Sequence, residues 1–234
     1  MKNNTRRNRN IGTAKQGYGQ NNKLKTQDYF VEKLTEYTKR KISINGHEFI
    51  FVVEDLQTGF QYSCSLDDIV TQLSKIPNTD YGDLKFIVFR QPKKKERMLE
   101  PVWGRLMYTY EFEGDLFPAI IIESFQPGDS LKWSKKQSVA QIQEFKLLQE
   151  EGHIFIDKGN YYEAILSESA VRNTQLNRTI FHEVGHYVHY LTFVERPSTD
   201  EESFEEWENR YNKYFSIPKR EKEVFANRYA AKYK

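Results

Sequence analysis

The stretch His182-Glu183-Val184-Gly185-His186 sets two imidazoles four residues apart with a carboxylate between them. On a helix, four residues turn the chain by about 400°, so the two histidines lie roughly 40° apart on one face, one turn above the other. Their ring nitrogens then converge on one cation, and imidazole is a preferred ligand of Zn²⁺. Glu183 flanks that face. From there a carboxylate reaches a water held by the metal without ligating, takes its proton during attack on a carbonyl, and passes it to the leaving amine. This is the HExxH pattern of zinc hydrolases.

A catalytic zinc site needs three protein ligands and an open position. His189 shares the ligand face but sits about 10 Å along the axis from His182, beyond reach of a metal held by the first pair, and is read as lying behind the site or at the surface. The position six residues past His186, where metzincins carry their third histidine, is Thr192. Farther on, Glu223, Ala226, Asn227 and Ala230 are spaced by three, one and three in a helix expected after Pro218. They form one face, with a carboxylate and small residues where another helix approaches closely. Glu223 is the candidate third ligand.

Together the two motifs, HExxH and an E-x-x-A-N-x-[aromatic]-A pattern beginning at Glu223, resemble the gluzincin class of zinc peptidases. The form of the second motif is especially similar to the ImmA/IrrE family, and Glu223-Val224-Phe225-Ala226 also resembles the lethal-factor-like catalytic domain. About the last 60 residues carry the resemblance; the first hundred or so match neither. It implies a zincin-like α+β metallopeptidase domain with a mixed sheet and an HExxH helix, with Zn²⁺ on His182, His186 and Glu223 and Glu183 as general base. The implied activity is zinc-dependent endopeptidase action on a protein or peptide substrate. An ImmA/IrrE-like enzyme would be a cytoplasmic regulatory protease acting on a repressor-like protein; a lethal-factor-like one would be a toxin or effector. Such sites often recruit a tyrosine to stabilise the oxyanion, and Tyr211 and Tyr214 are the candidates.

Positioning these residues needs a scaffold. Ile180, Val184, Val188 and Leu191 repeat at four, four and three, an apolar stripe on the side of the helix away from the histidines. Residues 28–41 read as a helix with Tyr29, Phe30, Leu34, Tyr37 and Thr38 on one side. Residues 42–53 read as two strands around the Asn45-Gly46 turn. Ser65 opens a short helix that ends by Pro77, and residues 84–90 form a strand. Strands are expected at 106–112, 117–125, 153–157 and 161–166. The Ser134-Gln137 pair reads as a capping box opening a helix to residue 149. The acidic run 200–209 reads as a helix joining the two motif helices. Residues 119–123 are the candidate edge strand on which a substrate backbone would pair.

Domain organisation follows composition: a flexible basic tail at 1–27, a small α+β region at 28–100, and the zincin-like catalytic domain at 101–234. The first 27 residues hold seven basic side chains and no acid, so the overall +2 leaves −5 for the remainder. Such a tail has too little apolar surface to offset its ordering entropy, and it could make weak nucleic-acid contacts. A chain that is 38% hydrophobic and 15% aromatic can bury a core. Without an apolar run of 18 residues or an apolar leader, no membrane span or secretion signal is expected. The single Cys64 suits a reducing cytoplasm, although effectors can leave cells without a signal peptide. The rival reading is a non-catalytic zincin-like module binding protein or nucleic acid, which the intact His182, Glu183, His186 and Glu223 argue against.

Overall fold

The computed structural model describes residues 34–93, 96, 103–199 and 201–233. The basic stretch 1–27, the first residues of the expected 28–41 helix, Lys94, Lys95 and Asp200 lie outside the described residues. Strands β1 (Tyr37–Ile44) and β2 (His47–Glu54) form an antiparallel hairpin. Its turn residues Asn45 and Gly46 have φ of 52° and 80°, the left-handed pair that a tight two-residue turn requires. The Asn45 side-chain amide donates to the carbonyls of Ser74 and Ile76, 3.0 Å each. The helix expected to run through residue 41 is instead strand from Tyr37 onward, paired with β2 along its whole length. As an outer strand with mostly exposed polar side chains, β1 has no apolar alternation to read, and backbone pairing decides its state.

Helix α1 (Leu66–Leu73) starts where Ser65 and Asp68 form a reciprocal capping box. It carries the crossover from β2 to the parallel strand β3 (Phe86–Arg90). Strands β4 (Gly104–Phe112) and β5 (Asp115–Glu123) complete a five-stranded sheet of order β1-β2-β3-β5-β4. Its inner pairings are parallel and its two outer ones antiparallel, so the sheet is mixed. Strands from both sides of residue 100 thus pair in one sheet. Residues 119–123, expected at an edge, are interior: they pair with β3 on one side and lie beside β4 on the other. The edge role falls to β4.

A second, antiparallel sheet comprises β6 (Ser130–Ser134), β7 (Phe155–Asp157) and β8 (Tyr161–Ile165) in the order β6-β8-β7. Helix α2 (Val139–Glu150) packs against it, Phe145 lying 4.4 Å from Phe155 between ring centroids. This helix begins later than expected. Ser134 ends β6 opposite Tyr161, and the working capping box is Ser138 with Gln141, the same pattern four residues on.

From Glu168 onward the elements are helical. Helix α3 (Glu168–Thr174) continues through a π-helical turn, Gln175–Thr179, into α4 (Ile180–Tyr190) and a second π-helical turn, Leu191–Glu195. Helix α5 (Phe204–Ser216) opens with a Ser203–Glu206 capping box, and α6 (Lys219–Ala230) follows Pro218. The expected stripe is the buried face of α4: Ile180, Val184, Val188 and Leu191 join one core with Phe49, Phe51, Ile87, Phe89, Ile120 and Ile122 of the large sheet. The sheet's other face carries a second core around Val52, Phe86, Val88 and Tyr110. Among the described residues, no helix is long and apolar enough to cross a membrane.

Candidate metal centre

Helices α4 and α6 cross in contact because Gly185 has no side chain. A Cβ built there would lie 3.0 Å from Ala226 Cα, Ala226 O and Tyr229 Cβ, backbone and near-backbone atoms that cannot swing aside. This close approach brings Glu223, one turn before Ala226, against the two histidines. Gly185→Val should therefore force α6 outward, costing about 1–3 kcal/mol and separating Glu223 from His182 and His186. Thermal melting and zinc titration of the variant check this, and unchanged values in both would show that the crossing is slack.

The ligand atoms converge as the spacing predicts. His182 Nε2 and His186 Nε2 are 3.0 Å apart; Glu223 Oε2 is 3.2 Å from the first, and Glu223 Oε1 is 3.7 Å from the second. With zinc–ligand bonds of about 2.0–2.2 Å, the edge of a tetrahedron is about 3.3 Å, which these separations bracket. The three groups form a set whose donor atoms all lie within 4.8 Å of one another. Asn227 Oδ1 sits 3.0 Å from His182 Nδ1, where it would accept an Nδ1 hydrogen and leave Nε2 for a metal. Asn227→Ala should accordingly weaken zinc binding about 10–100-fold without removing it, measured by competition with a chromogenic chelator.

Electrostatics favour a cation here. Hydrogen bonds from His182 and then His186 hold the Glu223 carboxyl far below the ordinary glutamate range, so it is ionised. Burial would lower the pKa of His182, but Glu223, Glu183 and Asn227 outweigh it and raise the value. Glu183 is different. Burial pushes its carboxyl up, against the pull of both histidines and of the Leu106 N–H, which donates to Oε2 at 2.7 Å. Leu106 belongs to β4, so the edge strand of the sheet grips the Glu183 side chain.

These groups open into a cleft of about 330 Å³ lined by His182, Glu183 and Glu223 on one side and by Trp103, Trp133 and Leu148 among others. His189 is not in it. Its ring is buried and stacked on Phe225 at 4.4 Å, with its pKa lowered by burial, so it packs α4 on α6 and does not reach the surface. The tyrosines expected near the oxyanion are also elsewhere. The Tyr214 hydroxyl lies 2.9 Å from that of Tyr108 and donates to the backbone carbonyl of His186, and Tyr211 stacks on Trp207 and Phe215. Neither lines the cleft; both serve the aromatic packing of α5. Two participants were given no role from sequence. Asn227 was legible as the residue four after Glu223 on the same face, whereas the Leu106 contact comes from a backbone amide and leaves no sequence signal.

No protein-family model matches this chain, and neither does any curated protein or solved structure compared with it.

Proposed function

We propose that the protein is a zinc-dependent endopeptidase. The observation that carries this reading is the convergence of His182, His186 and Glu223 at tetrahedral-edge separations, beside Glu183, in an open cleft bounded by a sheet edge. Two imidazoles and a carboxylate suit Zn²⁺ in softness and number, and the open side of the cleft leaves room for water or substrate. The likeness of both motifs to gluzincins supports the same assignment.

Each residue then has a role. The outer edge of β4, next to α4, binds the substrate backbone as an added strand and so presents one carbonyl at the cleft. His182, His186 and Glu223 would hold the Zn²⁺, which when bound would supply Lewis acidity for that carbonyl and for the attacking water. Glu183 takes the water's proton and delivers it to the departing nitrogen; with Oε2 held by Leu106, the proton travels on Oε1. A carboxylate whose affinity for protons is raised by burial is a better base than one free in water. Asn227 keeps His182 in the tautomer that ligation needs.

The direct test is metal content of the purified protein by mass spectrometry. Wild type should hold about one zinc per chain after supply of the metal, and Glu223→Ala far less, because a two-ligand site binds zinc orders of magnitude more weakly. A wild-type protein that takes up no zinc would overturn the proposal.

A further inference from the structure

The wall of the cleft facing the metal helix comes from a different part of the chain, the small sheet with its helix α2. Along β6 the side chains alternate. Leu131 and Trp133 share the face of Ala164, Tyr162 and Phe155, and Lys132 shares the opposite face with Glu163. Trp133 is backed by Phe145 at 6.0 Å and Phe155 at 6.3 Å, and it remains only partly buried, on the cleft side. Trp103, just before β4, is fixed from three directions. Its ring lies 5.2 Å from that of buried His153, and its carbonyl accepts from Gln175 Nε2 at 2.8 Å and from the Glu123 N–H at 3.2 Å. It too is partly buried and lines the cleft. The two indoles are thus rigidly held apolar surfaces that the fold does not cover.

Charge in the same wall is closed off. Arg178 donates from Nη1 to both oxygens of Glu144 at 2.9 Å, and from Nε and Nη2 to Glu151 at 2.5 and 2.9 Å. Nε, Nη1 and Nη2 of this guanidinium each donate to a carboxylate, and both Glu144 oxygens accept from it. An acidic substrate side chain therefore meets an arginine already paired with two glutamates, and a basic one meets a Glu144 already paired with that arginine.

Resting on the peptidase reading, we propose that Trp103, Leu131, Trp133 and Leu148 form a side-chain pocket that selects substrates carrying a large uncharged apolar residue, such as Phe or Leu, next to the scissile bond. A cleft of about 330 Å³ has room for one such side chain beside the reacting carbonyl, and a phenyl or isobutyl group that leaves water there gains about tenfold to a hundredfold in binding over hydrogen.

Amino-acid hydroxamates test this without a known substrate, since the hydroxamate ligates zinc and the side chain probes the wall. Titrated calorimetrically into the zinc-loaded full chain, the Phe and Leu hydroxamates should bind about 10–100-fold more tightly than the Gly one. The Glu and Arg compounds should gain nothing over Gly. Trp133→Ala should bring the Phe-to-Gly ratio toward one. Because that variant also removes packing against Phe145 of α2, Leu131→Glu serves as a second: it should turn the preference toward the Arg hydroxamate, a switch that mere loss of packing does not produce. Zinc-loaded protein that binds all five compounds equally, or prefers Glu or Arg, would overturn the pocket and leave the peptidase reading standing. Wild type that holds no zinc would overturn both.

Discussion

Glu183→Gln should leave zinc bound at wild-type stoichiometry and lower the rate of peptide-bond cleavage by about 10²–10⁴. The two side chains have the same shape, and the glutamine carbonyl oxygen still accepts the Leu106 N–H that now meets Glu183 Oε2 at 2.7 Å. What disappears is basicity. A neutral amide cannot take the proton of the attacking water or return it to the leaving nitrogen. The contrast with Glu223→Ala is therefore diagnostic: one variant loses turnover and keeps metal, and the other loses metal and with it turnover. Cleavage is read as new termini generated in a mixture of unstructured peptides, and metal by mass spectrometry on the same samples. Undiminished cleavage by Glu183→Gln would remove this residue from the mechanism.

Arg90→Ala should be the most destabilising single change away from the His182–His186–Glu223 cluster. The Arg90 side chain is only 2% exposed and lies 2.5 Å from Glu96 and 3.1 Å from Glu123, which also receives Arg105 at 3.1 Å. Deleting it takes from two buried carboxylates the cation they share, leaving Glu123 with Arg105 and Glu96 with the Lys93 N–H, at a cost of about 3–5 kcal/mol, or about 6–20 °C in Tm for a chain of this size. The loss has a pH signature. Burial already pushes the Glu123 carboxyl up, and the loss of Arg90 raises it further. A folded-state pKa above the unfolded one gives stability that is present at low pH and lost as pH rises through the folded value. The deficit should thus be smaller at about pH 5 than at about pH 8. Adding Glu123→Gln to Arg90→Ala should recover part of it, and the paired melting curves measure that coupling. Because Arg105 stands one residue from Leu106, the same cluster anchors the strand that grips Glu183.

The grouping of His182, His186 and Glu223 was more legible than the scaffold that holds it. HExxH fixes the relation of His182, Glu183 and His186 by helix geometry alone, and the small face of Ala226 and Ala230 announces a close helix crossing. The apolar stripe of α4 and the Asn45-Gly46 turn are local signals of the same kind. Long-range pairing overrides such signals elsewhere. The Tyr37–Ile44 strand has helix-compatible, polar residues and is made a strand by its partner. Ser134 and Ser138 offer the same capping pattern, and only the pairing of Ser134 with Tyr161 distinguishes them. That β5 is inserted between β3 and β4, moving the edge away from residues 119–123, depends on crossovers of the chain that no local period encodes.

The two π-helical turns that bracket α4 give the register of this helix a margin in residue count. A π turn is an α turn that has absorbed one additional residue. Deleting a single residue from Gln175–Thr179 would therefore let that turn close to α geometry while α4 keeps nearly the same facing relative to α3. Helix α3 holds its place, because Arg172 is clamped to Asp68 of α1 at 2.5 and 2.6 Å. The His182–His186 pair would still face Glu223. In this chain a one-codon deletion in the wide turn should spare an arrangement that replacing one histidine would break.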